Sequence, residues 1–175
     1  MSIMPADHST RSSGLVIVVG YDGSDAAGAA VERGIERVRG GGRLIVVHAW
    51  RPPAVLVGSE LYVIVATACR AAAETLIERL AVDHSGLAGV DWESRLIEGS
   101  AAKVISDVAF LEGADEVIAG TRGAGRFHAL IGGTAQGLLH HAGCPVTFIP
   151  HCMVEATDHK TDEATVGRLT DVPLL

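Results

Sequence analysis

The sequence predicts an α/β fold, a doubly wound five-stranded parallel sheet of the Rossmann-like kind. Short β-branched runs of strand length alternate along the chain with segments whose apolar residues recur at helical spacing. Hydrophobic residues make up 48% of the 175 residues and aromatics only 4%, so the core is built from Val, Ile, Leu and Ala. Glycine-marked turns follow the first and fourth strands. In doubly wound sheets, ligands bind beyond the carboxyl ends of strands.

Leu15-Val16-Ile17-Val18-Val19 is a continuous apolar run, as expected of a strand buried on both faces. Ser24 or Asp25 is placed to cap a helix running to about Val38. Arg39 to Arg43 contains three glycines and reads as a turn, and Leu44 to Ala49 as a second buried strand. Arg51-Pro52-Pro53 stops it. Ser59 is then placed to cap a long helix with apolar positions at Leu61, Val65, Ala68, Ala72, Leu76 and Leu80. Asp83 to Gly89 is a polar turn. Trp92 to Ile97 alternates and reads as a third strand nearer the sheet edge. Ala101 to Leu111 is a short amphipathic helix, Glu116 to Ala119 the fourth strand, and Val146 to Ile149 the fifth.

One domain is expected at this length, over residues 15–150. Residues 1–14 read as a flexible N-terminal segment, and 151–175, aperiodic and rich in acidic residues, as a mobile tail. The net charge of −7 argues against a general nucleic-acid binder and against attachment to an anionic membrane. Three cysteines without a C-x-x-C pair fit a reduced, cytoplasmic setting. Met1 to Ser13 has no apolar core of a signal peptide, and the most apolar long segment, Val55 to Cys69, is interrupted by Glu60.

The residues that carry chemistry lie at two strand ends. Gly120-Thr121-Arg122-Gly123 leaves the fourth strand, and after nine residues Gly133-Thr134 opens the next helix. Glycines without a Cβ let a ligand approach the backbone, and the amides of Thr134, Ala135 and Gln136 at a helix start suit a phosphate. Thr134 either caps this helix or offers its hydroxyl to a phosphate oxygen. Arg122, Arg126 and His128 in the intervening loop are candidate cations. The plain alternative is that these glycines only shape a loop. Asp22 ends the first strand, where its carboxylate can accept from a ribose hydroxyl or an adenine amino group, or can simply form the turn before Gly23-Ser24.

The spacing G-x2-G-x9-G-[S/T] resembles the ATP-binding signature of universal stress proteins. Gly120 through Gly125, Leu139 through Val146, Val18 through Ser24 and Val46 through Ala49 resemble that family as well, so the likeness runs from about Leu15 to Pro150. The resemblance implies an adenine nucleotide α-hydrolase-like fold that binds ATP, with or without magnesium, or another adenine nucleotide. It implies Asp22 at the adenine or ribose end, with Gly20 and Tyr21 in the same wall and the Ala49 backbone against adenine. Ala119, Gly120 and Gly123 would line the ribose and phosphates, and Gly133, Thr134 and Ala135 would hold the phosphates. It also implies a homodimer joined at the fifth-strand edge, and a regulatory role in the stress response with an unknown protein partner. Two positions depart from the family pattern: Gly132 replaces a larger apolar residue, and Pro150 removes an edge donor.

Other chemistries lack their motifs. The P-loop, the G-x-G-x-x-G turn after the first strand and the G-x-S-x-G elbow are absent. His140 and His141 are adjacent on a helix and point about 100° apart, which suits no shared metal. His48 reads as a strand-end residue with a backbone partner, Cys144 as a packed thiol and Asp115-Glu116 as a solvated turn. No general base is placed for hydrolysis, so ATP turnover would at most be slow. The competing readings are an interaction module of the same fold that binds no nucleotide, a cyclic-nucleotide binder, and a related nucleotidyl-transferring enzyme.

Overall fold

A computed structural model describes residues 14–121 and 132–150. Among these residues strands and α-helices alternate: β1 (Leu15–Gly20), α1 (Asp25–Val38), β2 (Gly42–Trp50), α2 (Leu61–Asp83), β3 (Asp91–Glu98), α3 (Ala101–Glu112), β4 (Glu116–Gly120), α4 (Gly133–His141) and β5 (Val146–Ile149). The strands form one parallel sheet in the order β3-β2-β1-β4-β5. The chain therefore winds outward from β1 to β3, then returns to the other side of β1. That reversal puts the switch point between β1 and β4, where doubly wound sheets open a crevice at their carboxyl ends.

Alternation along the central strands divides the core in two. Ile17, Val19, Leu44, Val46 and Ile118 face α1 and the end of α2, together with Val31, Ile35 and Leu80. Val18, Ile45, Val47, Val117 and Ala119 face the other way, onto Ile105, Val108 and Ala109 of α3 and Leu138 of α4. Both faces of these strands are covered, which explains why they read as unbroken apolar runs rather than alternating ones. The third strand lies at the sheet edge and is only partly buried, as its alternating pattern anticipated.

Local chemistry sets most boundaries. Ser24 is the N-cap of α1, its hydroxyl accepting from the Ala27 amide at 3.3 Å. Gly113 closes α3 in the left-handed conformation, φ 61°, bonding back to the last helical turn. The long helix departs from expectation in two respects. Its N-cap is Glu60, and Ser59 contributes a backbone carbonyl to Tyr62 N–H. Its inward side runs through Tyr62, Val65, Cys69 and Leu76, all half-buried, to the buried Ala73 and Leu80, while Leu61, Ala68 and Ala72 are exposed. The first nine residues of α2 are uncharged on every side, so periodicity alone assigns the wrong phase.

Asp115 and Glu116 are also not a solvated turn. Asp115 Oδ2 accepts from the Val16 amide at 2.8 Å, while its own N–H donates to the Val16 carbonyl at 2.8 Å. Glu116 accepts from Thr147 Oγ1 at 2.6 Å and pairs with Arg37 at 2.8 Å, tying α1, β4 and β5 together. At the opposite edge Glu93 is held between Arg43 at 2.6 Å and Arg95, and both arginines also reach Glu112. Burial pushes the Glu93 carboxyl up, but the hydrogen bonds from Arg95 and Arg43 outweigh it and hold it below the usual glutamate range.

Candidate nucleotide site

The carboxyl ends of β1, β2 and β4 and the starts of α3 and α4 enclose a cleft. Its walls are Gly20, Tyr21, Asp22, Ala27, Val47, Ala49, Ala101, Ile105, Ala119, Gly120 and Thr134. The space between them is about 450 Å3, part of it open to solvent. Seven of these residues were expected from the sequence: Gly20, Tyr21, Asp22, Ala49, Ala119, Gly120 and Thr134. They come from separate stretches of the chain, and only the parallel pairing of β1 with both β2 and β4 assembles them.

The β1 end is the most constrained part. The Tyr21 amide donates to the Val47 carbonyl at 2.9 Å, and the Tyr21 carbonyl lies 2.7 Å from His48 Nδ1. A carbonyl can only accept, so that ring nitrogen carries the proton. His48 is thus a strand-end residue with a backbone partner, as expected. Gly20 packs closely on Ile105, whose Cδ1 would lie 2.7 Å from a Cβ there and would have to move to admit one. Asp22 Oδ1 accepts from both the amide and the hydroxyl of Ser24, at 3.1 and 2.6 Å. Asp22 therefore forms the turn into α1 and faces the cleft at the same time. Its two readings are not alternatives.

The α4 end supplies backbone donors. Helical bonding begins with the Gln136 amide, which donates to the Gly132 carbonyl at 3.0 Å. The N-cap is therefore Gly132, not Thr134. The amides that precede the first helical bond are those of Gly133, Thr134 and Ala135, and Gln136 is already engaged. Thr134, one residue inside the helix, lines the cleft. Ala135 is 1% exposed, so it reaches a ligand only through its backbone. A Cβ on Gly133 would meet no described atom within 4 Å. Thr121 N–H donates to the Ile149 carbonyl, and the Thr121 carbonyl accepts from Gly132 N–H, each at 2.9 Å. These bonds bracket the segment between the two ends of the motif. Gly123, Arg122, Arg126 and His128 lie outside the described residues.

Among the described wall residues the only formal charge is on Asp22. Positive potential at the α4 side comes from the helix start itself, where the aligned peptide dipoles favour an anion. The described residues contain no group of three His, Cys, Asp or Glu side chains able to hold a metal. Nor is any described helix long and apolar enough to cross a membrane.

The family model of the universal stress proteins matches residues 16–150, more than three quarters of the chain. The chain belongs to the universal stress protein family. A universal stress protein of Thermus aquaticus is 34% identical over 136 residues, covering 76% of this chain and 96% of its own. Among solved structures, a universal stress protein in complex with cAMP superposes with a TM-score of 0.59 at 20% identity, covering 79% of this chain and 98% of its own. A family protein of Arabidopsis thaliana with AMP bound gives a TM-score of 0.54 at 18% identity, covering 78% of this chain and 91% of its own. These structures share the fold described above, a five-stranded parallel α/β sheet of the Rossmann-like kind.

The family motif did not reveal Ala27, Val47, Ala101 and Ile105. Val47 and Ile105 are apolar residues of regular elements, and nothing local separates them from the rest of the core. Ala27 and Ala101 each lie in the first turn of a helix after a strand, which was the one signal available. His84 lies in the segment that reads as a polar turn. It is 9% exposed, with Nδ1 2.7 Å from Glu32 Oε1 and its ring edge-on to Tyr21 at 5.9 Å between centroids. Burial, then the charges of Asp83 and Asp22, push the Tyr21 phenol above its ordinary value, so it stays protonated at neutral pH.

Proposed function

We propose that this universal stress protein binds ATP or another adenine nucleotide in the cleft at the switch point, and that binding is its working event. The observation that carries the reading is that Asp22, after β1, and Thr134, from the first turn of α4, line one cleft together with Ala119 and Gly120. Asp22 and the Ala49 backbone would take the adenosine end, in a wall formed with Gly20 and Tyr21. Gly120, Gly123 and the α4 start would take the phosphates, with Arg122 or Arg126 supplying charge. Magnesium, where present, would ride on the phosphates. AMP and cAMP in relatives of the same fold support an adenine nucleotide and keep a cyclic one as the second reading.

The proposed domain is residues 15–150, with 1–14 and 151–175 as appended segments. A cytoplasmic homodimer joined along β5, acting on an unknown protein partner in the stress response and not on nucleic acid or membrane, completes the proposal. Turnover is expected to be slow. Hydrolysis needs an attacking water positioned at the terminal phosphate, and the one carboxylate in the described wall belongs to the adenosine end. Equal binding of substrate and transition state gives no acceleration.

The test is native purification followed by mass spectrometry of any bound nucleotide, with phosphate release followed under saturating Mg-ATP. We expect an adenine nucleotide and a rate far below the ~10 per second of a typical enzyme. Turnover near that rate, lost in Asp22→Ala without loss of ATP affinity, would make the protein an enzyme.

A further inference from the structure

His84 packs against the adenosine wall through Tyr21 and is held from the other side by α1. Its ring meets Tyr21 edge-on at 5.9 Å, and Tyr21 is itself a wall residue, 7% exposed. Its Nδ1 lies 2.7 Å from Glu32 Oε1 on α1, which fixes the ring's rotation. Gly28, one turn earlier on the same helix, lies alongside the imidazole. A Cβ there would sit 3.4 Å from His84 Cε1. Leu76, two turns back along α2, packs under Gly23, where a Cβ would lie 2.7 Å from Leu76 Cδ1. Gly23 is held at φ 78°, in the turn that Asp22 makes with Ser24. The end of α2 thus supports the segment 21–23 from behind at two points, and His84 is the polar one.

A buried imidazole with a carboxylate partner is more than this corner needs for packing, since an apolar side chain would fill the space without requiring Glu32. From this arrangement we propose that His84, oriented by Glu32, is a positioning residue for adenosine recognition, holding the Tyr21–Asp22 wall in register with β2 and Ala49. The inference rests on the nucleotide-binding reading above. Its expected signature is selective. Loss of His84 loosens the adenosine wall and leaves the phosphate end, built on α4 and the β4 turn, as it was.

The experiment is calorimetric titration of the full chain, wild type and variants, with adenosine, AMP, ATP and inorganic triphosphate. His84→Ala should lower affinity for adenosine and AMP about tenfold, the scale of one oriented aromatic contact, and leave triphosphate affinity unchanged. Glu32→Ala should reproduce the loss in part. Glu32→Gln keeps an oxygen that accepts from Nδ1–H and should restore wild-type affinity, a rescue that simple loss of stability does not predict. The chain has two tyrosines. In a Tyr62→Phe background, the Tyr21 ring resonances should therefore shift on His84→Ala in the nucleotide-free protein. Wild-type adenosine affinity in His84→Ala, or equal losses for adenosine and triphosphate, would overturn the positioning role alone. A wild-type protein that binds none of the four ligands would overturn the nucleotide reading, and the positioning role with it.

Discussion

Asp22 shows how much of the site is set one residue at a time. Its Oδ1 holds both polar groups of Ser24, which caps α1, so the side chain has a structural use independent of any ligand. Asparagine keeps that oxygen and replaces the other with an amide. Asp22→Asn should therefore leave stability within a few tenths of a kcal/mol while lowering ATP affinity about tenfold. Asp22→Ala should also lose about 1 kcal/mol by removing the hydrogen bonds that hold Ser24. Urea unfolding beside calorimetry separates the two effects, and unchanged affinity in Asp22→Asn would remove Asp22 from the adenosine end. Asp22 and His48 were legible in the sequence because their partners are a few residues away or one strand over. His84 was not, because its meaning depends on Glu32 and Tyr21, which come near only where the turn after α2 folds against α1.

At the scale of elements, strands were easier to read than helix phases. The boundaries of β5 and of α1 agree with the sequence reading, since Pro145 and Ser24 mark them chemically. The phase of α2 was misread because an apolar residue at every turn leaves periodicity nothing to choose between. Close approach of α3 and α4 was also invisible, although Gly137 permits it: a Cβ there would lie 2.5 Å from Ala102 Cβ. That approach brings the starts of both helices to the same cleft. The last strand, β5, lies at one edge of the sheet with all four residues half-buried. An edge strand left unpaired is a template for another chain. Sedimentation equilibrium at micromolar concentration should accordingly return twice the chain mass of 18.2 kDa. A monomer with and without ATP would contradict pairing along β5.

For the molecule as a whole, the alternation of strands and helices was enough to give the fold class, and the reversal of strand order supplies what alternation cannot, the location of the cleft. With β1 between β2 and β4, the turns after β1 and β4 become neighbours, and two motifs about 100 residues apart in sequence face one cleft. The central claim is that the start of α4 is the phosphate site. Gly133 tests it most directly, because a side chain there meets no described atom within 4 Å and the fold should tolerate one. A branched side chain would stand where the phosphates approach. The decisive measurement is calorimetric titration of ATP into wild-type protein and into Gly133→Val, with cooperative unfolding of both established first. The account predicts saturable binding by the wild type and none by the folded variant. Wild-type ATP affinity in Gly133→Val would contradict it.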